Sequence, residues 1–167
     1  MISKNVLDVA ANIAVLAVCL IIGGSIVEKR FFAQRHREPV YGLQTGQALP
    51  PIKGINYGAK KRTVLVFANT KCGACVRSVP DIKQIAATVE HTTNAQAFGI
   101  FAEPQSHLAT IREAGFVLPA VPVESFVPYR VAATPTTVLL DEHGRVQNLW
   151  VGVLERATLE RLLKDLA

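Results

Sequence analysis

Residues 63–68 read Thr63-Val64-Leu65-Val66-Phe67-Ala68, an apolar, β-branched and aromatic run with no polar alternation. A strand with one wet face alternates, so a run that does not alternate predicts a central strand covered on both faces. Thr70-Lys71-Cys72-Gly73-Ala74-Cys75-Val76-Arg77 follows at once. Residues 73–90 then carry helical spacing, with Val76, Val79, Ile82, Ile85, Ala86 and Val89 on one side. Strand, turn and helix together place the cysteine pair at a helix N-terminus. Unpaired backbone N–H groups and the positive end of the macrodipole there favour a thiolate over a thiol. Cys72 is expected to be the more exposed and more acidic sulfur, lowered from ~8.5 toward or below ~7, with Cys75 one turn inward. At that spacing Cys75 can attack a mixed disulfide formed on Cys72 and release the product.

Two other chemistries compete for such a pair. A zinc site takes four ligands, and this chain has one further cysteine, Cys19, and no histidine close to the pair in sequence. Inert packing of both sulfurs is the other alternative. Neither uses the helix N-terminus, so redox chemistry without a bound metal or cofactor is the reading carried forward.

The 167 residues suffice for one ordinary domain and an appendage. Net charge is +5, but the basic residues gather at Lys29, Arg30, Arg35 and Arg37 and again at Lys60, Lys61 and Arg62. A nucleic-acid surface would need a basic face interleaved with aromatics, and the second cluster is too short, so it reads as a solvated turn.

Residues 9–27 are 19 consecutive residues without a charge. As a helix they are just long enough to cross a hydrocarbon layer of ~30 Å. A cleaved signal peptide has a shorter apolar region and a basic start, whereas here the start holds only Lys4 and the apolar run continues past Gly23-Gly24-Ser25, so an uncleaved anchor is expected. Cys19 inside this run reads as a small hydrophobe. The expected organisation is a short flank at 1–8, a single-pass anchor in the lipid bilayer at 9–27, a juxtamembrane linker at 28–42 and a folded domain at 43–167. Orientation pulls two ways. Basic residues after the anchor favour a cytoplasmic domain, while dithiol chemistry favours the outer face, where protein disulfides form and persist. The chemistry outweighs the charge bias, so the domain is expected on the extracytoplasmic side of the inner membrane.

Within the domain, 52–57 reads as a short strand, 96–102 as a second strand-like run and 104–114 as a helix closed by Gly115. Pro119, Pro122 and Pro128 break 117–129 into short pieces around a small strand at 121–123 or a helical turn. Residues 136–140 and 145–151 form a hairpin around Asp141-Glu142-His143-Gly144, and 155–166 closes as a helix with a Leu159, Leu162, Leu163, Leu166 stripe. Pro80, inside the helical pattern, should bend it.

With Cys72, Cys75, Pro80 and Ala133-Thr134-Pro135-Thr136 in place, the chain resembles thioredoxin-fold proteins, and more narrowly the membrane-anchored thiol-disulfide oxidoreductases of the TlpA/ResA type. The resemblance runs from about Thr45-Gly46-Gln47-Ala48-Leu49-Pro50 to Leu166. It implies a thioredoxin-like α/β fold, a central mixed sheet flanked by helices. It also implies a cis Thr134–Pro135 bond facing the dithiol, with Thr134 and Pro135 binding the client backbone. Clients are then disulfide-bearing proteins, such as apocytochrome c or metal-centre assembly factors, and a membrane thiol relay supplies electrons. Departures are Lys71 where the family usually has Trp, Gly73-Ala74 without the common Pro, and Ser78 where some relatives have a glutamate. Lys71 is expected to lower the Cys72 pKa further and to touch the client. The proton acceptor for Cys75 stays open, Glu103 being the nearest acid by position, with a solvated loop carboxylate as its competing reading. A peroxiredoxin-like site would want a Thr three residues before its cysteine and a Pro upstream, and neither is present. A non-catalytic or metal-handling assembly factor on the same fold is the remaining rival.

Overall fold

The computed structural model describes residues 42–104 and 107–167. The expected anchor at 9–27, Cys19 and the linker up to residue 41 lie outside the described residues. Among the described residues no helix is long and apolar enough to cross a membrane.

The apolar run at 63–68 lies in strand β1 (Arg62–Ala68), which stands in the middle of a five-stranded sheet. β2 (Ala95–Phe101) pairs with it in parallel, and β3 (Ala120–Pro122) continues in parallel to that edge. On the other side β4 (Thr136–Asp141) and β5 (Val146–Val151) run antiparallel, so the sheet is mixed and ordered β3-β2-β1-β4-β5. Both faces of β1 are dry. Val64, Val66 and Ala68 join one core cluster, and Leu65 and Phe67 join the other.

The first cluster is roofed by helices. α2 (Val79–Glu90) contributes Ile82, Ile85 and Ala86, α3 (Leu108–Glu113) contributes Ile111, and α4 (Arg156–Leu166) contributes Leu159, Leu162 and Leu166. The second face is covered by irregular chain instead. Leu43, Leu49, Ile52 and Ile55 from the lead-in segment and Val131 from the loop before β4 close over Leu65, Phe67, Ile100, Val138 and Leu140. The lead-in is held along β5 by backbone bonds, Gly46 N–H to the Val146 carbonyl at 2.7 Å and Val146 N–H to the Gln47 carbonyl at 2.9 Å.

Three expectations need correction. Residues 52–57 form no strand. Gly54 turns at φ 89°, which an extended strand does not accommodate, and the chain passes into a 3-10 turn at Tyr57–Ala59 capped by the Asn56 side chain. Ile52 and Ile55 still reach the core, but from a turn. The helix over 73–90 is two helices, α1 (Gly73–Arg77) and α2, joined at Ser78. Pro80 has no N–H for the carbonyl four residues back and its ring crowds that carbonyl, so it is placed in the first turn of a new helix. Ser78 closes α1 with its N–H on the Ala74 and Cys75 carbonyls and its hydroxyl on the Ala74 carbonyl. The break also takes Val76 out of the apolar stripe, leaving it 47% exposed.

The β4–β5 turn is specified by Asp141, whose side chain accepts from the N–H of His143 and of Arg145. Gly144 sits there at φ 73°, and a Cβ would come within 2.6 Å of the Tyr57 ring, so the position excludes any other residue on both counts.

Candidate active site

β1 ends at Ala68 and the chain turns through Asn69, Thr70 and Lys71 into α1, with Cys72 as the residue just before the helix. Asn69 builds this turn. Its side-chain oxygen accepts the Lys71 N–H at 2.8 Å, its carbonyl accepts the Cys72 N–H at 3.1 Å, and its own N–H points at Cys75 Sγ at 3.5 Å. Cys72 is half-buried and Cys75 is fully buried, both as free thiols.

Across from them, the loop before β4 brings Thr134 and Pro135 to the pair. The Thr134–Pro135 bond is cis, and the Cys72 thiol donates to the Thr134 carbonyl at 3.3 Å. The Pro135 carbonyl is taken by the Gly152 N–H at 2.7 Å, which ties this loop to the end of β5. The structure therefore assembles Cys72, Cys75, Thr134 and Pro135, distant in sequence, at one end of the sheet. Lys71 stands beside them with its side chain exposed to solvent.

The two sulfurs are driven apart electrostatically. Cys72 is lowered to about 7, first by the hydrogen bond it shares with the Cys75 thiol, then by the Cys75 backbone N–H at the start of α1, then by the Thr134 side chain. Cys75 is raised, chiefly by burial, with the Asn69 N–H opposing. Lys71, expected to lower Cys72, is not among the causes; the lowering comes from the helix start and the partner thiol. One sulfur is thus ionised near neutrality and reachable, and the other is held as a protonated reserve behind it.

This split sets a pH dependence. Thiolate, the reactive form, accumulates as pH rises through the Cys72 value, so alkylation of Cys72 by iodoacetamide should climb with a midpoint near 7. An ordinary thiol would climb only around ~8.5. Rates measured from pH 5 to 10, with the modified peptide identified, check this.

One acid near the pair differs from expectation, and one hydroxyl there is engaged elsewhere. Glu103 is not a solvated loop carboxylate: its side chain is 11% exposed and one oxygen accepts both the N–H and the hydroxyl of Thr70 at 2.9 Å. Ser78 is buried and spends its hydroxyl on the Ala74 carbonyl. Sequence reasoning did not find the Asn69 and Thr70 roles, although an Asn one turn before a CxxC is a recognisable turn signal. Among the described residues no group of three His, Cys, Asp or Glu side chains is placed to hold a metal ion.

This geometry agrees with what comparison reveals. The sequence pattern of the thioredoxin-like domain matches residues 55–167, and the chain belongs to that family. Methylamine utilization protein MauD of Methylophilus methylotrophus is 27% identical over 142 residues, spanning 77% of this chain and 67% of that protein. Among solved structures, a candidate thiol:disulfide interchange protein DsbE from Chlorobium tepidum superposes with a TM-score of 0.61 at 21% identity, covering 75% of this chain and 100% of that one. A candidate protein disulfide isomerase from Bacteroides thetaiotaomicron gives 0.60 at 23% identity, covering 74% and 87%. At these identities the structural likeness is one of fold, a thioredoxin-like α/β fold with a mixed sheet and helices.

Proposed function

We propose that this chain is a membrane-tethered thiol-disulfide oxidoreductase that reduces disulfides in client proteins, with Cys72 as nucleophile and Cys75 as resolving thiol. The observation that carries the reading is the opposite displacement of two adjacent thiols, an accessible one lowered to about 7 and a buried one raised, facing a cis proline. The Cys72 thiolate attacks one sulfur of the client disulfide. A mixed disulfide forms and the other client sulfur leaves as a thiolate, which takes up a proton. Cys75 then loses its proton, attacks Cys72 Sγ, and expels the second client sulfur. Two electrons pass to the client and the chain is left with a Cys72–Cys75 disulfide.

Thr134 fits this sequence. While Cys72 is protonated its S–H occupies the Thr134 carbonyl. Once the sulfur is ionised there is no proton to donate, and that carbonyl becomes available to a client backbone N–H in the added-strand mode. Pro135 shapes the contact and exposed Lys71 flanks it. The lipid bilayer, through residues 9–27, and a thiol-relay donor that re-reduces the disulfide complete the partners. The catalytic domain works on the extracytoplasmic side of the inner membrane.

Two measurements test the reading. The reduced chain mixed with an oxidised protein substrate should lose two thiols per turnover. In intact cells, a membrane-impermeant thiol reagent should label Cys72; protection until the cells are lysed would place the domain in the cytoplasm instead.

A further inference from the structure

The turn that carries the nucleophile is held from inside and from outside. Asn69 supplies the inside bonds, to Lys71, Cys72 and Cys75. The outside bonds come from Glu103, in the loop after β2, whose Oε1 accepts the Thr70 N–H and the Thr70 hydroxyl, each at 2.9 Å. β1 and β2 pair in parallel with Ala68 opposite Phe101, so Thr70 and Glu103 lie two residues beyond the last pair on each strand, in the same register. The contact is therefore built into the sheet. It fastens the turn at a residue two positions before Cys72.

A carboxylate is an odd choice at this place. Negative charge near a thiolate raises its pKa and works against the nucleophile. What a carboxylate does better than a neutral group is accept short, strong hydrogen bonds from two donors at once. We propose that Glu103 is a positioning residue for the nucleophile: by clamping Thr70 it fixes where Cys72 Sγ sits between the start of α1 and the Thr134 carbonyl. The proposal rests on the reading of Cys72 as nucleophile and adds the residue that places it. The other groups facing this region are Cys75 on α1, the Thr134 carbonyl on the loop before β4, exposed Lys71 within the turn and His107, whose Nδ1 lies 3.8 Å from the second Glu103 oxygen. Glu124 lines the same crevice as Glu103.

Charge and clamp predict opposite results. The experiment uses the full chain, reads alkylation at Cys72 against pH by peptide mapping, and reads reaction with a small aromatic disulfide at pH 7. If Glu103 acts as a clamp, Glu103→Ala should raise the Cys72 midpoint by about one unit, which corresponds to about a tenfold change in the ionisation equilibrium. Glu103→Gln, whose amide oxygen can accept both Thr70 donors, should stay within a few tenths of a unit of the unsubstituted chain. Thr70→Val, which keeps the N–H and loses the hydroxyl, should fall between them. Should Glu103→Ala fail to fold, the ordering of Glu103→Gln and Thr70→Val decides. An unchanged midpoint in Glu103→Ala, or in Thr70→Val where only that variant can be read, overturns the proposal. So does a downward shift in Glu103→Gln, which would mark Glu103 as a charge and not a clamp. If the unsubstituted chain itself titrates at Cys72 like an ordinary thiol, the nucleophile reading fails first, and the clamp falls with it for lack of anything to place.

Discussion

Replacing Cys75 by Ser should turn the chain into a covalent trap. Attack by Cys72 on a client disulfide needs only the Cys72 thiolate, which is half-formed at neutral pH with its value about 7. The second step needs a sulfur behind it, and a serine hydroxyl, whose ionisation lies far above that of a thiol, cannot supply one. Mixed disulfides should therefore accumulate on Cys72 and be seen as higher-mass bands that collapse on reduction. Cys72→Ser should give no such bands. In that variant only Cys75 remains at the site, fully buried, with burial holding its thiol in the protonated form. Its raised value and its burial both slow disulfide attack relative to Cys72. Equal trapping by both variants would remove the assignment of roles.

The second large effect concerns stability. Phe67 is fully buried near the end of β1, packs edge-on against Phe126 with ring centroids 5.5 Å apart, and lies 5.9 Å from Tyr129. Removing the ring deletes buried surface and leaves a cavity that irregular chain, already anchored by its own hydrogen bonds, fills only in part. Phe67→Ala should cost about 3–5 kcal/mol. For a domain of this size that lowers the thermal midpoint by roughly 10–20 °C. Val151→Ala, at an exposed position on the edge strand, should change stability by less than about 0.5 kcal/mol. Phe67 is also paired with Thr136, next to Pro135. The same change should therefore loosen the loop opposite the dithiol and slow disulfide exchange at temperatures where the fold survives. Thermal denaturation followed by circular dichroism, with activity assayed alongside, checks both.

What could be read from the residues was what local chemistry decides. The run at 63–68 is dry on both faces, and a strand of that kind has few places to go except the middle of a sheet. The cysteine pair lies where a strand hands over to a helix, and its asymmetry follows from that position. What could not be read depended on bonds between distant segments. Pro80 was visible, but whether it bends one helix or starts another depended on Ser78 taking the carbonyls of Ala74 and Cys75. Ile52 and Ile55 look like half a strand by composition, yet the left-handed Gly54 makes them a turn. Glu103 was placed at a strand end, and its partner Thr70 in the motif turn. Only the parallel register of β1 on β2 shows that the two meet. The opposite orientation of Lys71 and Cys72, one to solvent and one to Thr134, likewise follows from the Asn69 turn and not from their adjacency.

Cys72 is the ionised, reachable sulfur and Cys75 its protonated reserve. The most direct test is to treat the reduced chain at pH 7 with less than one equivalent of iodoacetamide per chain and locate the label by peptide mass. Label on Cys72, with Cys75 modified only after unfolding, is the predicted result; label on Cys75, or equal label on both at the rate of an ordinary thiol, would contradict it.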